Sequence, residues 1–137
     1  MTTVQRFAQV FGWGFLLVAI LGFIASTGSM EADPATAPHL LGLFPVNLLH
    51  NLVHLLFGVW GIMASRSFSA SRNYTLISGV AYLGLAVLGL LVPDFFGIMP
   101  IGGNDVWLHV LLGVGLLAGW MTARSGVPAE SRTHTTV

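Results

Sequence analysis

Residues 44–64 read FPVNLLHNLVHLLFGVWGIMA, an apolar run interrupted by polar side chains only in its first half. Its length is near the ~20 residues that an α-helix, rising 1.5 Å per residue, needs to cross ~30 Å of hydrocarbon. Three further apolar runs of similar length lie at about residues 7–26, 74–92 and 106–123. The sequence therefore predicts an all-α integral membrane protein, a bundle of four transmembrane helices.

The composition excludes several classes of protein. Of the 137 residues, 55% are hydrophobic and 7% are charged, whereas about a quarter of the residues of a soluble protein are charged. Five basic and five acidic residues balance, so no basic excess indicates nucleic acid. The lipid bilayer is the expected partner, and a homo-oligomer or a larger membrane complex is compatible with the small size. Cysteine is absent, so metal ligands would have to be His, Asp or Asn.

The arginines predict the orientation, because cytoplasmic loops carry an excess of basic residues. All five would lie on one side of a four-span chain: Arg6, Arg66, Arg72, Arg124 and Arg132. We therefore expect both termini to be cytoplasmic, with residues 1–124 forming the transmembrane domain. Residues 125–137 are polar and aperiodic, which predicts a disordered cytoplasmic tail.

The two halves of the chain show an internal similarity. At an offset of 55 residues His54 aligns with His109, and the Gly-x-x-Pro segment 42–45 aligns with 97–100. At an offset of 67 residues the first and third runs match, Gly12 with Gly79 and Phe15 with Tyr82. Two repeated helical hairpins of the same direction are predicted. The first run could instead be a cleaved signal peptide, but the repeat favours a retained helix.

Polar residues in the second and fourth runs predict a metal site. His50 and His54 are four residues apart, as are Asp105 and His109, so each pair shares one helix face. Ionisable groups inside a membrane are expected to face the bundle interior. Three imidazoles and one carboxylate could hold a transition-metal ion, with zinc or iron favoured over manganese and copper. Three amides could orient the imidazoles as outer partners, namely Asn47, Asn51 and Asn104.

The same residues allow two other interpretations. Haem b could be held by His54 and His109, each followed four residues later by a glycine that would leave room for a flat macrocycle. Alternatively no cofactor is bound, and the His, Asn and Asp side chains form a polar network in a scaffold subunit. An enzyme would be a metal-assisted hydrolase, but no separate general base is apparent, so catalysis is left undecided.

The pattern Pro-x-Asn-x-x-His-Asn-x-x-His at residues 45–54, taken with Asn104-Asp-Val-Trp-Leu-His109, resembles an uncharacterised family of small bacterial four-helix membrane proteins. That family is known only as a domain of unknown function. The resemblance covers nearly the whole chain except the tail, and it implies a location in the bacterial cytoplasmic membrane. It implies no activity, substrate or catalytic residue.

Overall fold

The structure is a computed structural model that describes residues 1–125. The predicted tail lies outside the described residues, apart from Ser125. Within the described part the chain is all-helical, with four α-helices and one pair of very short strands. In chain order the elements are α1 (Thr3–Ser26), β1 (His39–Leu40), β2 (Phe44–Pro45), α2 (Leu48–Ala64), α3 (Phe68–Leu91) and α4 (Asn104–Ser125).

The helix starts differ from the predicted ones because capping residues, not hydropathy, set them. Helix α1 begins at Thr3, where Thr2 and Gln5 form a reciprocal capping box. Helix α3 begins at Phe68, before the predicted start at residue 74, because the Ser67 hydroxyl accepts a hydrogen bond from Ala70 N at 3.2 Å. Each helix therefore begins at least one turn before its apolar run.

Helix α2 is shorter than predicted. Phe44 and Pro45 belong to β2, which pairs antiparallel with β1. The helix then starts after Asn47, whose side chain accepts a hydrogen bond from His50 N at 2.9 Å. Three helices, α1, α3 and α4, are long and apolar enough to cross a membrane, while α2 is a shorter apolar helix of 17 residues.

Glycines allow the helices to pack closely in two pairs, α1 with α2 and α3 with α4. A Cβ added to Gly12 would lie 2.7 Å from Ile62 N and 3.0 Å from Gly58 O. A Cβ added to Gly113 would lie 3.0 Å from Gly79 O. Close backbone approach at small residues is typical of helix pairs in membranes.

The core is aromatic, and the outer surface is apolar. Phe15, Tyr74 and Tyr82 are almost fully buried at the centre of the bundle. Large apolar side chains such as Ile24 and Leu90 are about 70% exposed on the outside. Such a surface is compatible with lipid as the surrounding solvent.

Candidate metal centre

The candidate site is built by the first halves of α2 and α4. The cap at Asn47 fixes the start of α2, so that His50 and His54 lie one turn apart on its buried face. Asp105 lies in the first turn of α4, and His109 follows one turn later. All four side chains are at most 5% exposed.

Three of the four predicted ligands converge. His50, Asp105 and His109 each offer one ligand atom, and these atoms all lie within 4.8 Å of one another. His50 Nδ1 lies 3.6 Å from Asp105 Oδ2. That distance is too long for a direct hydrogen bond but suits two atoms that share one ion at about 2 Å each.

His54 lies beside this trio without joining it. Its ring centroid is 4.6 Å from that of His50, and its other face stacks on Phe15 at 5.8 Å. The prediction that His54 completes a four-ligand set stays a prediction.

The potential ligand atoms have unused hydrogen-bonding capacity. Among the described residues, buried atoms without a hydrogen-bond partner include Nδ1 of His50, His54 and His109, and Oδ2 of Asp105. Buried polar side-chain atoms normally have a partner, so a cluster of such atoms needs an explanation. A cation would satisfy a carboxylate oxygen and neutral imidazole nitrogens together. The residues present therefore fit a metal ion.

Aromatic rings form the inner wall of the site. Phe15 and Tyr82 stack with their centroids 5.1 Å apart, and Tyr82 also packs edge-on against His109 at 5.4 Å. The Tyr82 hydroxyl is a further buried atom without a hydrogen-bond partner among the described residues. Sequence reasoning gave Tyr82 no role, although its alignment with Phe15 placed both residues at equivalent positions.

The three asparagines bond to groups other than the imidazoles. The Asn47 amide donates to Ile98 O at 2.9 Å, and the Asn51 amide donates to Ser26 Oγ at 3.0 Å. Asn104 donates to Leu43 O at 3.0 Å. These bonds tie loops and helix ends together around the site, which is a different role from the predicted orientation of the imidazoles.

The surroundings of His54 and His109 do not fit haem. The glycines that were predicted to leave room for the macrocycle, Gly58 and Gly113, are covered instead. A Cβ on either one would lie 2.8 Å from a leucine side chain, Leu16 or Leu83. These glycines bring helices together, so they do not provide the room that the haem interpretation assigned to them.

Comparison with known proteins identifies a family but no relative of known activity. Residues 5–121 match the family described as "Domain of unknown function (DUF4383)". No curated protein matches the chain, and no solved structure matches it.

Proposed function

The chain belongs to this DUF4383 family of unknown function, and we propose that it is a four-span membrane protein that binds one transition-metal ion through His50, Asp105 and His109. The observation that carries the proposal is the convergence of three buried ligand atoms within 4.8 Å. Their lack of hydrogen-bond partners among the described residues supports it. Zinc and iron are the first candidates, because both accept mixed nitrogen and oxygen ligands.

With three protein ligands, the coordination shell of the ion would have a free position. Three protein ligands with a free position are typical of catalytic sites, whereas structural zinc sites are usually closed by four. His54 is the nearest candidate for a fourth ligand, given its 4.6 Å ring distance from His50. The ion would sit between α2 and α4, and it would link the two hairpins whether or not a reaction follows.

The membrane setting is the second half of the proposal. Arg6, Arg66 and Arg72 lie at the ends of α1, α2 and α3 that meet, where Gln5 Nε2 donates to Ser65 O at 3.0 Å. The positive-inside rule makes this the cytoplasmic side, with both termini inside. Helix α2, at 17 residues or ~26 Å, is slightly short for ~30 Å of hydrocarbon, a mismatch that local thinning accommodates. We propose the bacterial cytoplasmic membrane.

Elemental analysis of the purified full-length protein tests the metal proposal. Wild type should retain close to one equivalent of one metal, and Asp105→Asn should lose it because a neutral amide is a poor replacement for a carboxylate ligand. Asp94→Asn is the matched control, since it makes the same Asp-to-Asn change in a loop, away from the three candidate ligands. A wild type with less than about a tenth of an equivalent, and with a melting temperature that a strong chelator leaves unchanged, would refute metal binding.

Acid should release the ion. Metal binding requires neutral imidazoles, so protons compete with the ion as the pH falls. Stabilisation by the metal should therefore decrease as the solution is acidified. Melting curves with and without chelator should therefore converge at low pH.

A structural polar network is the second candidate function. The cross-links from Asn47 to Ile98 O and from Asn51 to Ser26 Oγ favour it, since interhelical hydrogen bonds hold membrane helices together at about 0.6 to 2 kcal/mol each. Under this alternative, His109→Gln should be tolerated, because glutamine keeps the hydrogen-bonding capacity. Under the metal proposal the same variant loses its ion.

A further inference from the structure

An apolar groove runs along α1 toward His54, which lies beside the candidate metal centre, and α4 forms its opposite wall in the inner part. Its inner part has a volume of about 280 Å³, and apart from His54 its described lining is apolar. Its outer part, about 270 Å³, is lined by residues of α1, including Thr3 and Arg6. The two parts share Val10 and Phe11 in their lining, so they are neighbours along α1.

We propose that this groove binds a long-chain fatty acid, with its carboxylate at Arg6 and its methyl end beside His54. The fatty-acid proposal relies on the proposed function only for the membrane location of the protein. It adds the class of lipid that would reach the candidate metal centre. Binding in the groove requires no metal.

The shape of the groove indicates one acyl chain. From Arg6, the proposed carboxylate site, to Val18, the last lining residue of α1, the helix rises ~18 Å. The hydrocarbon of one leaflet is half of ~30 Å, so a chain that enters at one membrane surface would end near the bilayer centre. Gly14 leaves the middle of the groove open, because no atom lies within 4 Å of a Cβ added there.

The charge distribution indicates an anionic head at the outer end. Among the described lining residues Arg6 carries the charge, and it lies in the first turn of α1, where headgroups meet a spanning helix. A guanidinium binds carboxylates in a two-pronged geometry. At the other end the His54 ring lies in an apolar wall, next to His50. One cation and the small volume of the groove, about 280 Å³ in its inner part, favour a fatty acid over a two-chain phospholipid.

Side-chain size explains why the groove exists on this side of the bundle. In the crevice between α2 and α3, Phe57 packs against Tyr82 at 5.4 Å and fills the space. The position of α4 that aligns with Phe57 is Leu112, which lines the groove. Leucine is smaller, so the crevice between α1 and α4 stays open beside Leu112, whereas Phe11 and Phe7 close it at Gly115 and Gly119.

Photolabelling of the full-length protein in lipid nanodiscs tests the inference, with palmitic acid that carries a diazirine near its methyl end. We expect labelled peptides from α1 around Gly14 and from α4 around Leu112. Gly14→Leu should reduce labelling about tenfold, since it displaces methylenes from an apolar contact. Gly84→Leu is the matched control and should label like wild type, because Gly84 also has no atom within 4 Å of an added Cβ.

Two further comparisons test the binding of the carboxylate at Arg6 and the choice of a fatty acid over a phospholipid. Arg6→Gln should weaken labelling about threefold, and palmitic acid should displace the probe more effectively than phosphatidylglycerol. Equal displacement by both lipids would overturn the choice of fatty acid. Labelling of α3 around Gly84 as strong as that of α1 would overturn the groove itself. Asp105→Asn should lose metal but keep the label, so failure of the metal proposal and failure of this one give different results.

Discussion

The α1–α2 hairpin and the α3–α4 hairpin make the same helix contacts at aligned positions. A Cβ on Gly58 would collide with Leu16, and a Cβ on Gly113 would collide with Leu83, each at 2.8 Å. The two glycines are 55 residues apart and the two leucines 67, the same offsets that align the sequences. Each hairpin therefore closes through an equivalent contact between a glycine and a leucine.

The same correspondence holds beside the candidate site. His54 stacks on Phe15 at 5.8 Å, and His109 packs against Tyr82 at 5.4 Å. Phe15 and Tyr82 meet each other at the centre of the bundle, 5.1 Å apart. Each histidine is thus backed by an aromatic ring from the other helix of its own hairpin.

The two loops opposite the arginine end also share a conformation. Val46 N donates to Pro38 O at 2.8 Å, and Ile101 N donates to Pro93 O at 2.9 Å, again with an offset of 55. Both loops contain a pair of residues with positive φ, namely Leu41 with Gly42 and Phe96 with Gly97. The extra length of the first loop therefore lies before Pro38. These matches support the predicted repeat.

The differences between the hairpins are located where function is proposed. His50 of α2 aligns with Asp105 of α4, and this difference creates a mixed ligand set. Phe57 aligns with Leu112, and this difference opens the groove. Matched positions form the scaffold and contribute His109, and the unmatched positions add the mixed ligand set and the groove. Four experiments would break or sharpen this comparison.

Exchange of the two unlike ligands should have the largest effect. His50→Asp alone replaces a ligand imidazole with a shorter side chain that reaches less far toward the ion, and should reduce metal content at least about tenfold, the smallest cost of losing even an outer partner. The double variant His50→Asp/Asp105→His restores one carboxylate between two imidazoles, and it should recover most of the metal in elemental analysis. A double variant as empty as the single one would show that the two hairpins are not equivalent at the site.

The paired glycines should be equally intolerant of a side chain. Gly58→Leu and Gly113→Leu should each destabilise the fold by ~3 kcal/mol, because overpacking forces the helices apart. Detergent-induced unfolding in mixed micelles measures this loss, with Gly84→Leu as the exposed control. Values for the two variants that differ by more than about 1.5 kcal/mol, the usual cost of a tolerated swap, would contradict equivalent packing.

Local patterns predicted much of the fold and the site. The apolar runs gave the helices, and the four-residue spacings placed His50, Asp105 and His109 on faces that meet. Helix starts were missed because a capping hydroxyl such as that of Ser67 is a short-range signal that hydropathy ignores. The start of α2 was missed because Pro45 pairs in a strand across a tight turn.

Features that depend on distant partners could not be predicted. Asn47 and Asn104 each donate to a loop carbonyl from the other half of the chain, Ile98 O and Leu43 O. The roles of Gly58 and Gly113 depend on which leucine faces each of them. The groove depends on the relative size of Phe57 and Leu112, which sequence alignment reveals only after the helix pairs are known.

The two asparagine bridges between the loops should differ in strength. Asn47→Ala should cost ~2 kcal/mol, because it removes both a helix cap and a buried bond to Ile98 O. Asn104→Ala should cost only ~0.5 kcal/mol, because its bond to Leu43 O is exposed. Thermal melting in detergent would rank the two variants by stability. An equal loss of stability in both would mean that exposure to solvent does not weaken the bond from Asn104 to Leu43 O.

Substitutions that exchange Phe57, in the crevice between α2 and α3, and Leu112, in the crevice between α1 and α4, should have the smallest effect on stability. Phe57→Leu removes a ring that packs on Phe15 and Tyr82, at 6.1 and 5.4 Å, and leaves the crevice between α2 and α3 as open as the groove. We expect a loss of ~1 kcal/mol, less than for truncation to alanine because leucine still fills part of the volume.

Leu112→Phe should instead change stability by under ~1 kcal/mol, since the added ring enters existing space. Leu111→Phe, on the exposed face of α4, is the control for a ring added in lipid. Unfolding in mixed micelles measures all three, and a Leu112→Phe variant as unstable as Gly113→Leu would show that the groove does not have the room that the comparison assigns to it.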